Sequence, residues 1–105
     1  MSARLPLRIE HIDTGLSLRG GQRQMLMLVQ GLRQHGHEQV IVCQEGSALE
    51  AVVRKDGFQV FSLPCHDPWH AFGVQLWRQQ IKARAPQIIH AHDGRGQSLA
   101  WAASV

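Results

Sequence analysis

The chain has no uninterrupted apolar run near the roughly 20 residues that cross a bilayer, so the sequence predicts no membrane span. Its opening, Met1-Ser2-Ala3-Arg4-Leu5-Pro6, lacks the long apolar segment of a secretory signal, and a cytoplasmic location is the expectation. Cysteine is scarce: Cys43 and Cys65 offer neither a disulfide framework nor a metal-binding spacing. Cys43, inside Val40-Ile41-Val42-Cys43, reads as a reduced packing residue. Basic runs are also missing. The eleven Lys and Arg residues are scattered, with nothing longer than Arg54-Lys55, which argues against a nucleic-acid partner. A net charge of +3 suits an acidic small molecule or an anionic membrane surface equally well. Internal repeats, linkers, low-complexity tracts, a nucleophile elbow and a well-placed carboxylate pair are all absent.

What is present is an ordinary globular composition, 44% apolar and 18% charged over 105 residues, enough for one domain with one core. Strand-like runs fall at residues 7–13, 39–43, 58–63 and 87–90. Helix-like stretches separate them. The first, from about Gln22 to Gln34, places Met25, Leu28, Val29 and Leu32 on one stripe and stops at Gly36, a natural left-handed cap. The second has Ser47 as N-cap with Glu50 completing a capping box, Leu49, Val52 and Val53 inward, and Gly57 at its end. The third starts after Asp67-Pro68, carries Trp69, Phe72, Leu76, Trp77 and Ile81, and ends before Pro86. A fourth covers about residues 96–104.

The order β-α-β-α-β-α-β-α predicts an α/β, Rossmann-like parallel sheet of about four strands with helices on both faces. Ligands of such folds lie outside the carboxyl ends of the strands, at the switch point. Residues 13–21 and 90–95 therefore become neighbours. The uncapped, uncharged stretch Ala100-Trp101-Ala102-Ala103-Ser104-Val105 reads as a fragment of a longer protein. A last strand without a partner leaves an open sheet edge, through which copies could pair.

Gly20-Gly21 joins the first strand's loop to the first helix, where unpaired N–H groups and the positive dipole end favour a phosphate. The competing reading is a βα turn that needs glycine only for its backbone angles. The Gly15-to-Gly20 spacing and a missing third glycine count against a dinucleotide fingerprint, although Glu45 could imitate its ribose-binding acid. In His90-Ala91-His92-Asp93-Gly94-Arg95 the histidines two apart share a face; His90 is expected to be structural, and His92, Asp93 and Arg95 to rim the crevice. Cys65, His66 and His70 hold ligand types without zinc spacing, and no metal is expected. The three tryptophans read as packing residues, with Trp69 the one placed to meet an acceptor.

Taken in order, Ile9-Glu10-His11-Ile12, Gly20-Gly21-Gln22-Arg23-Gln24, residues 28–32, Gln34-His35-Gly36-His37-Glu38-Gln39-Val40, Gly57-Phe58-Gln59-Val60, Leu63-Pro64 and Pro86-Gln87-Ile88-Ile89-His90-Ala91-His92-Asp93 resemble the opening of a family 4 (group 1) glycosyltransferase. The resemblance implies a GT-B enzyme, of which residues 1–105 form part of the N-terminal, acceptor-side domain, without the C-terminal donor-binding domain and its E-x7-E pair. It implies a nucleotide-sugar donor, a glycan or lipid-linked acceptor, retention of configuration and no separate cofactor. Gly20, Gly21 and, more loosely, Arg19 take the donor-diphosphate role, His92 and Asp93 the catalytic one, and Arg95 and Trp69 line the cleft. Where family members commonly carry glutamate after the glycine pair, this chain has Gln22 or Gln24. The isolated chain is then expected to be inactive. Two other readings stay open: a stand-alone or split-transferase interaction module, and a nucleotide-dependent oxidoreductase or epimerase of the same fold.

Overall fold

The computed structural model describes residues 5–18, 20–64 and 69–104, with the side chains of Trp69 and His70 outside the description. Four strands, β1 (Arg8–Asp13), β2 (Glu38–Gln44), β3 (Gln59–Leu63) and β4 (Ile88–Ala91), alternate with α1 (Gly20–Gln34), α2 (Ala48–Lys55), α3 (Trp69–Arg84) and α4 (Gly94–Ser104). The strands form one parallel sheet in the order β3-β2-β1-β4. The sequence order reverses between β1 and β4, and this is the switch point that creates a crevice at the carboxyl ends.

Both faces of the sheet are covered. Met25 and Val29 of α1 and Leu49 and Val53 of α2 pack with Ile41 and Cys43 on one face. On the other, Trp77 of α3 and Leu99 and Ala103 of α4 pack with Ile12, Val40, Val42 and Leu63. The central strands are buried on both sides. That explains the dense apolar run of β2, as parallel strands between helix layers require. Cys43 is a free, buried thiol whose pKa burial pushes up to about 12, so it serves packing, as expected.

Local signals settle the helix ends. Ser47 Oγ accepts from the Glu50 amide at 3.1 Å, and Glu50 Oε1 accepts from the Gly46 amide at 3.1 Å, giving α2 a reciprocal cap. Gly36 sits at φ 83°, the left-handed conformation that closes α1. At the far end of α3 the same region is taken by Ala85, φ 49°, because Pro86 forbids another helical turn.

Several expectations need correction. The helix α1 begins at Gly20 rather than Gln22, and α4 at Gly94 rather than residue 96, so both glycine segments are first helical turns and not loops. Leu28 is 40% exposed because the stripe is completed by Gln22, Met25 and Val29. Phe72 and Leu76 lie outside the core, since α3 turns Gly73 and Trp77 inward. Trp101 does not pack on the sheet: it is 71% exposed, whereas Trp77 is fully enclosed. The expected cap at Asp67-Pro68 lies outside the described residues.

Candidate functional site

At the switch point the chain leaving β1 and the chain leaving β4 are bound to each other. Asp93 forms the clamp. Its Oδ2 accepts from the Thr14 amide at 3.1 Å and from the Thr14 hydroxyl, while Oδ1 accepts from the Gly96 amide at 2.8 Å. One carboxylate thus caps α4 and anchors the β1–α1 loop, residues that lie 79 apart in sequence. Gly96 is required here, because a Cβ would collide with that Asp93 oxygen. The amide of His92 also donates to Ile12 O at 2.9 Å, continuing the β1–β4 ladder past the strand end.

A buried glutamine finishes the loop. Gln22 Nε2 donates to Asp13 Oδ1 at 2.9 Å and to Gly15 O at 3.1 Å, and the Gly15 amide shares the same Asp13 oxygen. From β2, Gln44 Nε2 donates to Thr14 O at 2.6 Å. These bonds hold open a groove of about 500 Å³ walled by Thr14, Gly15, Gly21, Gln22, His92 and Arg95. A second cavity of about 290 Å³, around Arg8, Glu10 and Arg84, lies at the amino ends of the strands, where ligands of such sheets do not bind.

Gly21 lines the groove; Gly20 is exposed one residue earlier and does not. Neither glycine has positive φ, and a Cβ at either would touch nothing within 4 Å. The turn therefore needs glycine at neither position for backbone angle or packing. What the bare backbone does provide is an unobstructed approach to the first-turn amides of α1, where an anion is favoured. Arg95 stands exposed on the rim, in the first turn of α4. Arg19 lies outside the described residues, as do the side chain of Trp69 and the Cys65–His66–His70 group, apart from the placement of His70 within α3.

The residue that sequence reasoning missed is His11. It is fully buried in the middle of β1, in register with His90 of β4. Its Nδ1 lies 3.0 Å from His92 Nε2, and its Nε2 lies 2.7 Å from Gln39 Oε1. The His90 and His92 rings stack at 4.0 Å between centroids, so the two point together as the strand period requires. His90, expected to be structural, is exposed. Burial, with the neighbouring histidines adding to it, drives the pKa of His11 down to about 4 even though its bond to Gln39 opposes the shift. Burial and His90 do the same to His92, against the pull of Asp13 and Asp93. A signal was available in the sequence: Glu10-His11 puts two ionisable residues into a strand that should be apolar throughout.

These depressed values have a consequence for stability. An unfolded histidine titrates near 6.5, so between about pH 6.5 and 4 the unfolded chain binds protons that the folded pair refuses, and stability falls as pH falls. For buried His11 alone the loss is about 1 kcal/mol at pH 5.5. Urea unfolding in EDTA at pH 7.5 and 5.5 measures it. His11→Gln should flatten the pH dependence. An equally steep profile in that variant would assign it to other groups.

A family model described as a glycosyl transferase 4-like domain matches residues 19–105. The chain belongs to that family. Among solved structures, a glycosyltransferase from Rickettsia africae superimposes with a TM-score of 0.74 at 17% identity, over 94% of this chain and 27% of that one. At that identity the likeness is one of fold, and the chain spans about a quarter of that protein's length. No curated protein matches the chain.

Proposed function

We propose that residues 1–105 form part of the N-terminal, acceptor-side domain of a GT-B glycosyltransferase, which moves a sugar from a nucleotide-sugar to a glycan or lipid-linked acceptor. The observation that carries this reading is the Thr14–Asp93 clamp, which sets the open start of α1 beside His92 and Arg95 in one groove. In the reaction the bond from the anomeric carbon to the diphosphate breaks and one to an acceptor hydroxyl forms. Charge develops on the departing diphosphate. In this reading the first-turn amides of α1, unobstructed at Gly21 where the helix meets the groove, stabilise that charge. Positioning supplies most of the rest. His92 touches substrate in this reading, through the ring nitrogen not shared with His11. Asp93, both oxygens engaged, positions the loop that carries His92. The donor domain lies in sequence beyond this segment, transfer retains configuration, and the nucleotide-sugar is a substrate, with no separate cofactor. Among the described residues no helix is long and apolar enough to cross a membrane. The proposed setting is the cytoplasm, at the inner membrane's surface where the acceptor is lipid-linked.

The test is to express the reading frame through and past residue 105 and assay transfer from nucleotide-sugars. His92→Ala should cut turnover about a hundredfold or more with the fold intact. Wild-type turnover in that variant would remove His92 from the mechanism. A strong thermal shift with NAD(H), and none with nucleotide-sugars, would favour the oxidoreductase reading instead.

A further inference from the structure

Beyond the transferase reading and independent of it, we propose that His11, His90 and His92 form a binding site for a divalent transition metal of the zinc class. One nitrogen of each ring lies within 4.8 Å of a nitrogen of the others. In a tetrahedral zinc site with Zn–N near 2.0–2.1 Å, ligand nitrogens stand about 3.3 Å apart. The His11–His92 edge, at 3.0 Å, is already close to that spacing. The remaining adjustment falls on His90, which is exposed and has to leave its 4.0 Å stack on His92 to turn a lone pair toward the site.

Hydrogen bonding sets the His11 tautomer that a metal needs. Gln39 Nε2 donates to Val29 O at 2.8 Å, which fixes the direction of the amide and leaves Oε1 facing His11 Nε2. That nitrogen must therefore carry the proton, and Nδ1 presents a lone pair toward His92. An outer-shell acceptor on the far nitrogen is how metal-ligating histidines are usually oriented. Without metal, His92 Nε2–H donates to the same lone pair. On binding, the proton on His92 Nε2 moves to Nδ1 by way of solvent, and the metal takes the lone pairs of His11 Nδ1 and His92 Nε2.

The frame is rigid where it should be. His11 and His90 are register partners on adjacent strands, and the His92 amide is tied to Ile12 O. Three imidazoles leave the fourth position to water or ligand on the exposed side, the arrangement of an open site rather than a closed structural one. With Nε2 committed to metal, His92 also gains a fixed orientation beside the groove.

The experiment titrates the full chain with Zn²⁺ by calorimetry and with Co²⁺ by visible absorption, at pH 7.5 after EDTA treatment and dialysis. One equivalent should bind, with the intense visible bands of four-coordinate Co²⁺. His90→Ala removes an exposed ligand without touching the core and should weaken binding at least about tenfold, while His35→Ala should not change it. Imidazole nitrogen spectra should show perturbation at His11 Nδ1 and His92 Nε2 and none at His11 Nε2. Absence of binding, or equal affinity in His90→Ala, overturns the proposal. So would binding lost in His35→Ala.

Discussion

Replacing Trp77 by alanine lowers unfolding free energy by about 3–5 kcal/mol, a large share of the roughly 5–15 kcal/mol available to a domain of this size. Two effects add. Among the described residues Trp77 is the largest fully enclosed side chain, wedged between α3 and the sheet against Ile12, Val40, Val42 and Leu63, so its removal opens a cavity that this layer cannot refill. Its Nε1 also donates to Glu10 Oε1 at 2.7 Å, inside the core. Glu10 is 1% exposed and, among the described residues, its other oxygen has only the Arg84 guanidinium, 3.8 Å away. Deleting the indole leaves a buried carboxylate short of a donor. Trp77→Phe weighs the two effects differently: it keeps most of the volume and loses the hydrogen bond, for about 1–3 kcal/mol. Denaturant unfolding followed by circular dichroism measures both variants. A cost below about 1 kcal/mol for alanine would mean that α3 does not pack as described.

Asp93→Ala is the second large effect, and it acts on the site as well as on stability. The substitution removes the cap of α4, worth about 0.5–2 kcal/mol. It also strands the amide of Thr14, a residue that is 6% exposed, at about 1–3 kcal/mol. Asp93→Asn keeps an acceptor for the Gly96 amide but meets the Thr14 amide with NH₂ or loses it, so it should retain the cap and release the loop. Hydrogen exchange distinguishes them: Thr14 loses protection in both variants, Gly96 only in alanine. Unchanged protection of Thr14 in either would show that the two loops are held by something else.

The fold was legible because each element carries its own punctuation. Ser47 with Glu50, Gly36 and Pro86 mark ends that the structure reproduces, and the alternation of strand and helix dictates a parallel sheet with β1 and β4 adjacent. Boundaries at the glycines were less legible. Glycine is a poor helix former in general, yet in a first turn the amides have no intrahelical partner to lose, so Gly20-Gly21 and Gly94 join their helices. Periodicity also misplaced Leu28, Phe72, Leu76 and Trp101, since a stripe shows that a helix has an apolar side but not which residue the sheet reaches first.

The site was half legible. His92, Asp93, Gly21 and Arg95 stand together, as strand-end logic expects. The residues that hold them, Thr14, Gln22, Gln44, Gln39 and His11, are polar groups bonded to partners on other elements or loops, from 9 to 79 residues away in the chain. A single sequence carries their presence but not their pairing.

The central claim is that the β1–α1 and β4–α4 turns share one anion-receptive groove. Amide NMR spectra of the ¹⁵N-labelled chain titrated with a nucleoside diphosphate test it most directly. Weak binding is expected, with shifts confined to Gly15, Gly21, Gln22 and Arg95 and lost in Asp93→Ala. Shifts centred on Arg8 and Arg84 at the opposite end of the sheet, or none at the start of α1, would contradict it.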